Sequence, residues 1–103
     1  MITVSIGQAE RPAEEATPDW INQQINRRRA DEMAVCVRVR INKPGANVVL
    51  TTPTCSGVGG GGRAPNSLER RILELWEDRG LRANHFTGGN LVAFLRQLAK
   101  LLC

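Results

Sequence analysis

The sequence predicts a two-layer α+β sandwich, with a small, mainly antiparallel sheet and helices on one of its faces. Three observations carry this. "AVCVRVRI" at 34–41 places a β-branched residue at every second position, the period of a half-buried strand. Lys43, Pro44, Gly45 and Ala46 then supply the proline and glycine of a type II turn, so the run that follows must return antiparallel. Three further segments repeat apolar residues at helical spacing behind cap signals.

Taken in order, "MITVSI" places Ile2, Val4 and Ile6 on one side and Thr3 and Ser5 on the other, which predicts a strand over 2–6. "GQAERPAEEA" reads as a polar connection. Thr17 as N-cap, Pro18 at the first helical position and Asp19 near the positive helix end open a helix over 18–30, with Trp20, Ile21, Gln24, Ile25 and Arg28 as its stripe. The central strand spans 34–42, with Val35, Val37, Val39 and Ile41 on one face and Cys36, Arg38 and Arg40 on the other, and "NVVLTT" pairs with it over 47–52 until Pro53. Asn66 and Glu69 form a capping box for a helix over 67–79 that buries Leu68, Ile72, Leu75 and Trp76, and Gly80 marks its end. Thr87 caps the last helix, 88–102, Phe86 is placed to staple onto Leu91, and Leu91, Phe94, Leu95, Leu98, Leu101 and Leu102 repeat at helical spacing. The element order β-α-β-β-α-(β)-α is ferredoxin-like if 81–86 pairs as a further strand.

The 103 residues predict a single domain, 1–103, with a flexible glycine-rich loop over 53–65. Three cysteines, Cys36, Cys55 and Cys103, at irregular spacing and with His85 as the sole histidine support neither a disulfide framework nor a zinc site. No metal and no cofactor is expected. The start lacks a basic, then apolar leader, and no run is long enough to span a membrane, so the sequence predicts free thiols, a cytoplasmic location and no membrane partner. The net charge of +4 is carried by arginine except for Lys43 and Lys100, which permits an anionic partner without requiring one.

"TCSGVGGGGRAPNS" at 54–67 joins a strand end to a helix start, the parts from which phosphate cradles are built. Its candidate anion ligands are the main chain of Ser56, Gly59, Gly60, Gly61, Gly62 and Ser67, with the planar fork of Arg63. The stretch lacks the lysine and hydroxyl order of a nucleotide-binding P-loop, and no acid stands some twenty residues on as in a dinucleotide fold. Cys55 is a weak candidate nucleophile, because a thiolate near a helix N-terminus is activated. Seven residues separate it from Arg63, which breaks the cysteine-phosphatase spacing.

Arg38 and Arg40 form a basic face beside Thr3, Ser5 and Thr51, but the strands carry no aromatic residue on which a nucleic acid base could stack. The last helix has a broad apolar surface, and Leu91, Leu95, Leu98 and Leu102 are the expected docking residues. The leading expectation is therefore a small, non-catalytic interaction or regulatory module that docks to a protein partner, or to a second copy of itself, through this helix. The alternative is an anion-, nucleotide- or nucleic-acid-binding protein that uses 54–67 and the Arg38–Arg40 face, with chemistry at Cys55. Trp20 and Trp76 are expected in the core.

Overall fold

A computed structural model of the chain describes residues 1–29, 35–52, 55, 64–81 and 87–102. Four strands, β1 (Ile2–Ile6), β2 (Ala9–Pro12), β3 (Val37–Lys43) and β4 (Ala46–Thr51), form one sheet in the order β2-β1-β3-β4. Every neighbouring pair is antiparallel. Three helices, α1 (Pro18–Arg29), α2 (Ser67–Asp78) and α3 (Gly88–Leu102), complete the two-layer α+β fold.

The pairing register turns sequence alternation into two unlike faces. Val4, Val39 and Leu50 lie side by side, as do Ile2, Ile41 and Val48, and the helices cover this side. On the opposite side Thr3, Arg40 and Val49 form one row and Ser5, Arg38 and Thr51 the next. Both arginines and Val49 are exposed there, so none of the three described helices covers it. Gly45 has φ of 85°, the positive value that the third position of a type II turn demands, and it joins β3 to β4 as the sequence predicts.

Two expectations need correction. The polar connection after β1 is β2 followed by a short 3-10 turn at Ala13–Glu15. Gly7, with φ of 61°, closes a two-residue turn between Ile6 and Ala9, and main-chain pairing with β1 then fixes the edge strand whatever its side chains. A ferredoxin-like order would insert 46–51 between the first strand and 37–43; instead β3 lies directly against β1 and β4 takes the outer edge. The Gly7 hairpin gives β1 a local partner on one side, and its other side takes the strand with three β-branched residues, Val37, Val39 and Ile41, facing the core. β2 and β3 thus run parallel on either side of β1, and α1 is the crossover between them. The further strand expected at 81–86 falls almost wholly on residues outside those described.

The caps read from sequence are in place. Thr17 Oγ1 accepts from Trp20 N–H at 3.1 Å, and Thr87 Oγ1 accepts from Asn90 N–H at 3.1 Å. Asn66 and Glu69 form the reciprocal capping box, and Gly80, with φ of 70°, follows the end of α2. Trp20, Ile21 and Ile25 of α1, Ile72 and Trp76 of α2, and Leu91, Phe94, Leu95 and Leu98 of α3 all enter one core. Trp76 meets Phe94 edge to face at 5.2 Å, and Arg11, on the inward side of β2, lies 4.9 Å above the Trp20 ring. Gly88 lets α3 approach α1: a Cβ there would stand 2.2 Å from the Pro18 carbonyl oxygen, and its N–H donates to Asn22 Oδ1 at 2.7 Å.

Candidate functional site

The uncovered face of the sheet and the adjoining edge of β4 present Arg38, Arg40 and Val49, all exposed, with exposed Glu10 on the same face beside Ser5. β3 presents Arg38 and Arg40 two residues apart because alternate side chains leave a strand on the same side. Their cross-strand neighbours are Ser5 and Thr51 for Arg38 and Thr3 and Val49 for Arg40, as expected from sequence for Thr3, Ser5 and Thr51. Val49 is 42% exposed, and besides Met1 it is the one large apolar residue so exposed among the described residues.

The edge of β4 is open along part of its length. Thr52 N–H donates to Val37 O at 3.1 Å, which fixes the alternation of the ladder and turns the main-chain N–H and C=O of Asn47, Val49 and Thr51 away from β3. The Asn47 N–H is taken: Glu69 Oε2 accepts it at 2.8 Å. Among the described residues neither Val49 nor Thr51 has a main-chain hydrogen bond to another element. Beside them Leu73, Trp76 and Glu77 of α2 enclose, with Val49, Leu50 and Thr51, a recess of about 310 Å³. Glu69 thus ties α2 to β4 at Asn47, and Leu73, Trp76 and Glu77 face residues 49–51 across this recess.

Glu69 also bears on the anion reading. Its carboxylate is 1% exposed, and Oε1 accepts from Asn66 N–H at 2.9 Å. The N-terminus of α2 therefore already holds an anion of the chain's own, which repels a second one at Ser67. Ser56, Gly59, Gly60, Gly61, Gly62 and Arg63 lie outside the described residues, as do His85, Phe86 and Cys103.

At the far end of the hairpin Cys36 and Cys55 are joined in a disulfide, with Cα atoms 4.7 Å apart. This overturns the expectation of free thiols there and removes Cys55 as a thiolate nucleophile while the bond stands. The hairpin register brings the pair together: Thr52 lies opposite Val37, so residue 36 faces the chain just beyond Thr52, and Cys55 N–H donates to Thr52 O at 3.1 Å, turning the chain back. The signal lay in the sequence, since two cysteines flanking a predicted hairpin end near each other. Buried Thr52 stitches the same region, its Oγ1 accepting from Val37 N–H at 3.2 Å and donating to Val35 O at 3.4 Å.

Three of the four leucines expected to dock from the terminal helix lie in the core. Leu91 and Leu98 are 0% exposed and Leu95 8%, so these side chains are consumed by packing against α1, α2 and the sheet; Leu102 is only half-buried. Between α2 and α3 a groove of about 500 Å³ is rimmed by Arg71, Glu74, Asp78 and Lys100, whose charges balance. No group of three or more His, Cys, Asp or Glu among the described residues could hold a metal, and no helix among them is long and apolar enough to cross a membrane. Compared with family models, curated proteins and solved structures, the chain finds no match.

Proposed function

We propose that the chain is a non-catalytic interaction module that binds through the uncovered face of its sheet. The observation that carries this reading is the pairing of an exposed arginine, Arg40, with exposed Val49 in one cross-strand row, on the side that none of the described helices covers. Arginine is enriched at binding surfaces because its flat, weakly hydrated guanidinium desolvates at small cost, and here an exposed apolar side chain adjoins it. The cytoplasmic placement belongs to this reading on one condition, that the fold persists with the Cys36–Cys55 bond open, since cytosolic thiols reduce accessible disulfides.

The test is affinity capture with the wild-type chain and with Arg40→Glu, followed by reconstitution from purified components. Loss of the reconstituted complex in the variant, at an unchanged melting temperature, is the expected result. A complex that survives the substitution sinks the reading. Nucleic acid is the second reading, favoured by Arg38 and Arg40 together, and it predicts binding of a twelve-nucleotide single-stranded RNA that weakens steeply with salt.

A further inference from the structure

Building on that reading, we propose that the edge of β4 at Val49–Thr51 receives an extended peptide segment of alternating apolar and acidic residues as a fifth strand of the sheet. Strand addition needs main-chain donors and acceptors without partners, a place for inward side chains, and a reason for one sequence to be preferred. All three coincide here. Val49 and Thr51 turn their N–H and C=O groups outward with no main-chain bond to another element among the described residues. The recess walled by Leu73 and Trp76, with Glu77 at its rim, lies on the inward side of the same two residues, and its volume of about 310 Å³ has room for an apolar side chain. On the outward side the added strand would run roughly 10 Å from β3, two strand spacings. An acidic side chain on it and the exposed Arg40 close that gap from both directions.

The features of the edge also set where the added strand stops. Glu69 occupies the Asn47 N–H, so the ladder can extend along residues 49–51 and is blocked towards the Pro44–Gly45 turn. A second copy of the chain is a poor occupant. Its own β4 carries Asn47, Val49 and Thr51 on the outward side, with no acid to meet Arg40, and its inward Leu50 is already in its own core. Two chains of net charge +4 also repel.

The probe is an acetylated and amidated seven-residue peptide alternating glutamate and valine, with the lysine-for-glutamate peptide as control, titrated into the full chain and followed by amide exchange. Slowed exchange at Val49 and Thr51 is expected, with Asn47 unchanged because its N–H is already bonded, and the lysine peptide should give no effect. Arg40→Glu should weaken binding about tenfold. Val49→Pro should abolish it, because proline at this edge position deletes an outward donor and no bond of the ladder; if that variant melts early, the exposed Arg40→Glu carries the test alone. Equal binding of both peptides overturns the acidic partner, and binding without slowing at 49 and 51 overturns strand addition; either outcome sinks the proposal while leaving a module that docks on its sheet face. Slowing that rises with protein concentration in the absence of peptide overturns the choice of partner in favour of a second copy. If an Arg40-dependent complex is captured and the peptide binds nowhere, the proposal falls and the module reading stands; if neither occurs, both fall.

Discussion

Glu69 Oε2 accepts the main-chain N–H of Asn47 at 2.8 Å, and this one bond ties the first turn of α2 to the start of β4. The other oxygen of the same carboxylate completes the capping box at Asn66, so a single buried charge is shared between a helix start and a strand edge. Asn66 adds a second tie, its Nδ2 donating to Gly45 O at 3.0 Å. Glu69→Ala leaves the Asn47 donor stranded and the box open, and should lower stability by about 3 kcal/mol. Glu69→Gln retains one acceptor and turns an amide N–H against the other donor, so it should fall between the two in urea denaturation. Equal stability of all three chains would refute the role given to the bond.

Adjacent glycines at the start of α3 should respond in opposite senses to the same change. Gly88→Ala drives a methyl into the Pro18 carbonyl and the Asn22 side chain, and should cost about 2 kcal/mol or force α3 away from α1. Gly89 has nothing within 4 Å of the position a Cβ would take, and Gly89→Ala should gain a few tenths of a kcal/mol through helix propensity. Paired thermal melts decide it, and a cost at both positions would contradict the close approach.

Opening the Cys36–Cys55 bond releases a closure of sequence separation 19, which in the chain-entropy account removes about 3 kcal/mol. The ladder bond from Thr52 N–H to Val37 O and the two bonds of Thr52 Oγ1 cross the same point and survive reduction. A Cys36→Ser/Cys55→Ser chain should therefore melt lower yet keep the dispersed amide spectrum of a folded sheet. Collapse of that spectrum would mean that the disulfide is a condition of folding, and would remove the cytoplasmic placement.

Leu98 separates packing from docking. At 0% exposure it should cost roughly 2–5 kcal/mol as Leu98→Ala, and Leu98→Asp should unfold the domain. A Leu98→Ala chain that is still folded at low temperature should sediment as the wild type does. Altered association with unchanged stability would restore the terminal helix as the docking face.

Where side chains decide structure, the sequence was legible; where the main chain decides, it was not. The alternation around Arg38 and Arg40, the Pro44–Gly45 turn and the caps at Thr17, Asn66 and Thr87 are local signals, and each element they mark appears close to its expected bounds. β2 carries no such signal, because Glu10 and Arg11 are ordinary loop residues and the strand exists through its ladder with β1. Strand order escaped for a related reason: side-chain patterns mark which residues face inward and leave open which strand lies beside which. The breadth of the apolar surface on α3 was legible, but its use was not. Three helices share one face of a small sheet, and α3 spends its leucines on α1 and α2 as well as on the strands.

The central position of β1 has a consequence for how the chain is made. Ile2 pairs with Ile41 and Ile6 with Val37, so β1 must wait for a partner strand synthesised more than thirty residues after it. At about 5–20 residues per second that is an interval of a few seconds. During it β1 has β2 on one flank and a bare, apolar-faced edge on the other, the kind of surface that nascent-chain chaperones hold and that neighbouring polysomal chains can capture. Glu10 and Arg11 of β2 and Glu14 and Glu15 just after it, all exposed in the finished fold, are the charged groups that the hairpin carries through that interval.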